Sequence, residues 1–105
     1  MIQAVWMRGT AVQGWSAEYR KDACGAAIRW SDYGKTSDLG YGWEIDHINP
    51  NGGDDLNNLR PLQWENNRAK SDGRLKCKVT YNSDSKTNVY VDSPLTSLLG
   101  SFWGR

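Results

Sequence analysis

An α+β fold is predicted from three observations. Residues 43–48 alternate apolar and polar side chains, as a half-buried strand does. Residues 49–55, Asn-Pro-Asn-Gly-Gly-Asp-Asp, break the chain into a loop. Residues 64–72 read as a helix that follows a second extended piece, so strand, loop, strand and helix succeed one another within roughly thirty residues.

Each element has a local reason. Residues 1–23 are mixed, with a short helix expected after Ser16, whose hydroxyl can cap it. Residues 26–30 form a short strand, and a Gly, Ser and Asp-rich loop reaches Gly42. Leu59 to Leu62 is extended, with Pro61 confining it to a strand edge or end. The helix from Trp64 to Asp72 should close on Gly73 at its C′ position. Cys77, Val79 and Tyr81 alternate with Lys76, Lys78 and Thr80; a polar turn at 82–86 and a second alternation at 88–92 complete a β-hairpin. Ser93-Pro94 starts a last helix. Its Leu95, Leu98, Leu99, Phe102 and Trp103 share one face. That face either docks on the core or serves as a homodimer or partner-protein interface.

The 105 residues fit one domain, with a motif core at 43–73 and an appended hairpin and helix at 75–105. Six Trp and five Tyr against one Phe supply core volume with polar handles, which suits a core interrupted by a polar cleft. A net charge of +1 does not advertise nucleic-acid binding, but Arg68, Lys70, Arg74, Lys76 and Lys78 are opposed only by Asp72. Such a patch can hold a phosphate backbone, although alone it reads as a solvated basic face. Cys24 and Cys77 are too few for a disulfide framework or a four-cysteine zinc knuckle, and whether they pair is open. No apolar leader and no membrane-length run is present, so a cytoplasmic protein without membrane partners is expected.

The chemistry-bearing residues gather in the third block. His47 is the only histidine and follows Asp46 directly. Its side chain titrates near neutral pH and is the natural proton acceptor. The following helix supplies Asn66, Asn67, Arg68 and Lys70. A carboxylate and an amide oxygen are hard ligands suited to Mg²⁺, and nearby cations suit phosphate. These are the ingredients of metal-assisted phosphodiester hydrolysis.

The stretch Gly42-Trp43-Glu44-Ile45-Asp46-His47-Ile48-Asn49-Pro50, then Gly52-Gly53-Asp54, Asn58-Leu59-Arg60-Pro61-Leu62 and Asn66-Asn67-Arg68-Ala69-Lys70, resembles the HNH endonuclease motif in order and spacing. Looser similarity extends to Tyr19-Arg20-Lys21-Asp22 and Tyr33-Gly34. The resemblance implies a ββα-metal (His-Me finger) core with His47 as general base. It implies Asp46 and Asn67 as ligands of one divalent metal ion, and Asn58 as the middle Asn that tethers the loop and orients the histidine. Trp43, Ile45, Ile48, Leu59 and Leu62 would fasten the hairpin to the helix. The implied substrate is double-stranded DNA, cut to leave 5′-phosphates, with Arg68, Lys70, Arg74, Lys76 and Lys78 on its backbone.

Two departures qualify the likeness. The paired CxxC knuckles of many relatives are missing, so no structural zinc is expected. The last motif position is Asn67 rather than His, which favours Mg²⁺ or Mn²⁺ over Zn²⁺. Adjacent strand residues point to opposite faces, so Asp46 and His47 can flank one phosphate only where the strand ends, and regular pairing should stop at about His47. Competing readings are a non-catalytic nucleic-acid-binding module with this fold, or a nuclease toxin or restriction component restrained by a partner.

Overall fold

The computed structural model describes residues 1–91. Their elements are α1 (Ile2–Trp6), β1 (Tyr19–Lys21), β2 (Ala27–Arg29), β3 (Trp43–His47), β4 (Leu59–Gln63), α2 (Trp64–Ala69), β5 (Val79–Asn82) and β6 (Thr87–Tyr90). Among these residues the strands form three two-stranded antiparallel sheets, β1–β2, β3–β4 and β5–β6. The α+β class holds in this form. The expected helix after Pro94, and the apolar face it would offer to a second copy or a partner, lie outside the described residues.

Trp43 at the start of β3 organises the apolar core. Trp6 and Trp30 pack around it with ring centroids 5.3 and 6.2 Å away, and Val5, Ile28 and Leu59 close the cluster. Such tilted aromatic contacts add to the burial of large rings. Two buried side chains on the five-residue α1, Val5 and Trp6, explain how so short a helix persists: packing, not propensity, holds it.

A chain this small cannot tie its sheets together with apolar contacts alone, and buried amides and carboxylates supply the links. Asp22 accepts from the backbone N–H of Cys24 and Ala26 through Oδ1, and from Gln63 N and Asn66 Nδ2 through Oδ2. The β1–β2 turn is thereby joined to the end of β4 and to α2. Asn66 donates to the Val79 carbonyl oxygen and accepts from Lys78 N and Val79 N, which fixes the third hairpin to α2. Asn88 imitates a peptide group beside β2, accepting from Ala27 N and donating to Ala27 O. Tyr90 donates to the Glu65 carboxylate, and that hydrogen bond pushes its hydroxyl up to about 12.

Four expectations are corrected. No helix follows Ser16: its Oγ accepts from Glu18 N two residues on, closing a turn instead. Helix α2 stops at Ala69, not Asp72, because Lys70 adopts an extended conformation (φ −56°, ψ 141°). Gly73 does take a positive φ of 74°, but within a turn closed between Ser71 and Arg74, where a side chain would press on the Pro50 ring. Ile48 is 39% exposed and does not fasten the hairpin, whereas Trp43, Leu59 and Leu62 are buried. The third hairpin's first strand begins at Val79, so Lys76 to Lys78 precede it, with the Lys78 carbonyl oxygen still accepting from Val91 N.

Cys24 and Cys77 form a disulfide across a sequence separation of 53. Closing a loop of that size in the unfolded chain is worth about 4 kcal/mol on chain-entropy grounds. Reduction, or Cys77→Ser, is therefore expected to lower the unfolding free energy by that order, measured by urea unfolding with and without reductant. Bridges of this kind persist in oxidising compartments and are rare in a reducing cytosol. Among the described residues no helix is long and apolar enough to cross a membrane.

Candidate active site

Alternation along β3 sends Glu44 and Asp46 to one face, and α2 lies against it. Lys70 Nζ donates to Asp46 Oδ1 at 2.6 Å and to the His47 carbonyl oxygen at 2.8 Å. Arg60 stands opposite Asp46 in the β3–β4 register, and its Nε donates to Asp46 Oδ2 at 2.8 Å. Residues directly opposite on an antiparallel pair share a face, which is why this contact forms. Asp46 is only 4% exposed, and two cations compensate a charge that burial would otherwise penalise heavily.

One turn earlier on α2, Asn67 and Arg68 meet Glu44. Asn67 Nδ2 donates to Oε1 at 3.0 Å and Arg68 to Oε2 at 2.8 Å. Burial alone would raise the Glu44 carboxyl; the hydrogen bonds from Arg68 and Asn67, with the Arg68 charge, outweigh it and hold the group below its usual value. Because a carboxylate only accepts, the Asn67 amide must present nitrogen to Glu44, leaving its oxygen directed elsewhere.

Strand pairing ends at His47, where the register closes opposite Leu59. His47 Nε2 lies 2.7 Å from Asp54 Oδ1, and its side chain is 41% exposed. Here too the carboxylate can only accept, so Nε2 carries the proton and, in the neutral ring, Nδ1 keeps its lone pair.

Asn58 holds the intervening loop. Its Oδ1 accepts from Asn49 N, while Nδ2 donates to the carbonyl oxygens of Asn49 and Gly53. Gly52 lets the amide approach, since a Cβ there would lie 2.7 Å from Asn58 Nδ2. These contacts fix the chain on both sides of the loop that carries Asp54, and the Asn58 side chain makes its hydrogen bonds to that loop's backbone.

Comparison with protein-family models, with curated proteins and with solved structures finds no match. The site must therefore be read from its own geometry.

The sequence-selected residues fall into two groups. Asp46 with Lys70, Asn67 with Arg68, and His47 surround the end of β3 and the facing side of α2. Asp46 and Asn67 are not bonded to each other; each is engaged by a different partner. Of the five basic residues expected on a phosphate backbone, Lys70 is 12% exposed and committed to Asp46 and His47. Arg68, Arg74, Lys76 and Lys78 are exposed, and Cys77 in their midst is anchored to Cys24.

Three residues lie in the motif stretch without a role assigned from the sequence: Glu44, Arg60 and Asp54. Glu44 was accessible, because it sits two residues before Asp46 and alternation gives them one face. Arg60 needed the hairpin register, and Asp54 needed the fold of a loop without periodic signal.

A carboxylate oxygen of Asp46 and the main-chain oxygen of His47 already converge on one positive group, the Lys70 ammonium. Oxygen donors of this kind suit Mg²⁺ or Mn²⁺.

Proposed function

We propose that this chain is a metal-dependent endonuclease of the HNH type that hydrolyses DNA phosphodiester bonds. The observation that carries the reading is the end of β3. There a histidine with one ring nitrogen tied to Asp54 follows a buried carboxylate whose surroundings already hold positive charge. The β3–loop–β4–α2 succession, with α2 laid on the β3 face, supports a ββα-metal core.

In this reading His47 Nδ1 takes a proton from the attacking water, and Asp54 holds the ring and stabilises the imidazolium that results. Asp46 and Asn67 would hold one divalent ion, which supplies positive charge beside the scissile phosphate and the departing 3′ oxygen. Arg68, Arg74, Lys76 and Lys78 attract the backbone without reading bases, so cleavage by the chain alone is weakly specific. Lys70 neutralises Asp46 from within rather than contacting DNA. Products with 5′-phosphate ends follow from the resemblance.

The test is hydrolysis of an end-labelled DNA duplex and of an RNA duplex of the same sequence, each with Mn²⁺. Preferential DNA cleavage leaving 5′-phosphates is expected; cleavage of neither removes the proposal.

One observation favours a second reading, a non-catalytic nucleic-acid-binding module: Asp46 is already satisfied by Arg60 and Lys70. Metal titration separates the two. If Asp46 is a metal ligand, Lys70→Met removes a competing unit charge and should tighten Mn²⁺ binding about tenfold or more, followed by electron paramagnetic resonance. Unchanged or undetectable Mn²⁺ binding in both proteins supports the binding module.

A further inference from the structure

A second site lies away from β3. Trp15, Tyr19, Tyr41 and Tyr81 line a cleft of about 290 Å³ with Lys86 at its edge, and none of its lining residues belongs to the β3–α2 site. The rings meet edge to face, Trp15 with Tyr81 at 4.9 Å between centroids and Tyr19 with Tyr41 at 5.4 Å. All four side chains are only partly buried.

Three features specify the ligand. First, the indole N–H of Trp15 and the hydroxyls of Tyr19, Tyr41 and Tyr81 have no hydrogen-bond partner among the described residues, whereas Trp64, Trp43 and Tyr90 all find one. Polar tips left over around a cleft can read the edge of a planar, heteroatom-rich ligand. Second, Lys21 Nζ sits 5.7 Å from the Trp15 ring centroid and 5.4 Å from that of Tyr81. With an ammonium already on those rings, the cleft repels a cationic guest that an aromatic cage would otherwise attract. Third, no carboxylate among the described residues lines it, and Lys86 adds a further positive charge. Aromatic faces, unused donors and net positive charge together match a base bearing a phosphate.

We propose that this cleft binds an unpaired nucleobase together with its phosphate, the base against Trp15 and the tyrosines and the phosphate toward Lys86 and Lys21. The ligand can come from a single strand or from a free nucleotide. Binding needs neither a metal ion nor cleavage, so it stands or falls separately from the nuclease reading.

The test uses the ¹⁵N-labelled full chain in EDTA, with the Trp15 indole resonance assigned through Trp15→Phe. The probes are dTMP, thymidine, hexathymidylate and tetramethylammonium. Addition of dTMP is expected to shift the Trp15 indole signal, and thymidine to bind more weakly. Tyr41→Ala should weaken dTMP about 5- to 150-fold, the range for losing one stacking contact. Lys86→Gln, on an exposed turn, should bring the affinity for dTMP toward that for thymidine. Hexathymidylate binding tighter than dTMP identifies a strand as the source, and equal binding a free nucleotide; both support the proposal. A Trp15 shift with tetramethylammonium but not dTMP overturns it, as does dTMP binding that ignores Lys86→Gln and Tyr41→Ala.

Discussion

Replacing His47 by alanine is expected to lower the rate of metal-supported DNA cleavage by about 10²- to 10⁴-fold, the usual contribution of a positioned general base. Single-turnover cleavage of a labelled duplex measures it. The chain contains no other histidine, so no neighbour of like chemistry can replace the lost ring. Because His47 is at the end of β3 and partly exposed, the substitution removes little packing, and circular dichroism of the variant should match the wild type. Asp54→Asn should cost less. Its carboxylate is 84% exposed, and an amide oxygen can still accept from Nε2 while stabilising the imidazolium less well. Cleavage by His47→Ala at the wild-type rate would remove the base from the mechanism.

The largest effect on stability is expected at Asp22. An Asp22→Asn side chain presents one NH₂ where the carboxylate accepts two hydrogen bonds, leaving a pair of buried donors facing a donor. Each unsatisfied buried group costs about 1–3 kcal/mol, so a loss of about 2–4 kcal/mol is expected after the relief of the buried charge. Chemical denaturation of wild type and variant measures it. A pH signature accompanies the loss. Burial pushes the Asp22 carboxyl above its usual value, with the hydrogen bonds from Gln63, Asn66, Ala26 and Cys24 opposing that shift. The folded chain then holds this proton more tightly than the unfolded chain does. Its contribution is therefore fully present below the unfolded pKa and declines as pH rises through the folded one. Asp22→Asn should abolish that decline. A variant as stable as the wild type would mean that the turn, β4 and α2 do not depend on this hub.

How far the sequence reaches can be judged residue by residue. The end of β3 at His47 was legible because a strand cannot place Asp46 and His47 on one face, and Pro50 and the Gly52-Gly53 pair follow at once. The start of α2 was legible from its composition, but its cap was not. Gln63 accepts from Glu65 N and Asn66 N, a task usually given to Ser, Thr, Asp or Asn. Its far end was misread because Gly73 satisfies the rule for a helix C-terminus while serving a separate turn. Lys70, tied to Asp46 and the His47 carbonyl oxygen, had already left the helix. Ser16 looked like a cap and closes a turn, since the two uses share one local hydrogen bond. The hub at Asp22 was out of reach: its partners Gln63 and Asn66 lie 41 and 44 residues away, and no local pattern encodes such pairings. In the candidate site, the motif assigns roles to the groups offered to a substrate, and it spans but assigns no role to the partners that hold them: Asp54, Arg60 and Glu44.

The most direct test of the central claim is incubation of the purified chain with supercoiled plasmid, with Mg²⁺ or Mn²⁺ and alongside EDTA. Conversion to nicked and linear forms that requires the metal, and is lost in Asp46→Ala, is the predicted result. A folded chain that binds the plasmid yet leaves it supercoiled with either metal would contradict the nuclease and leave a binding module in its place.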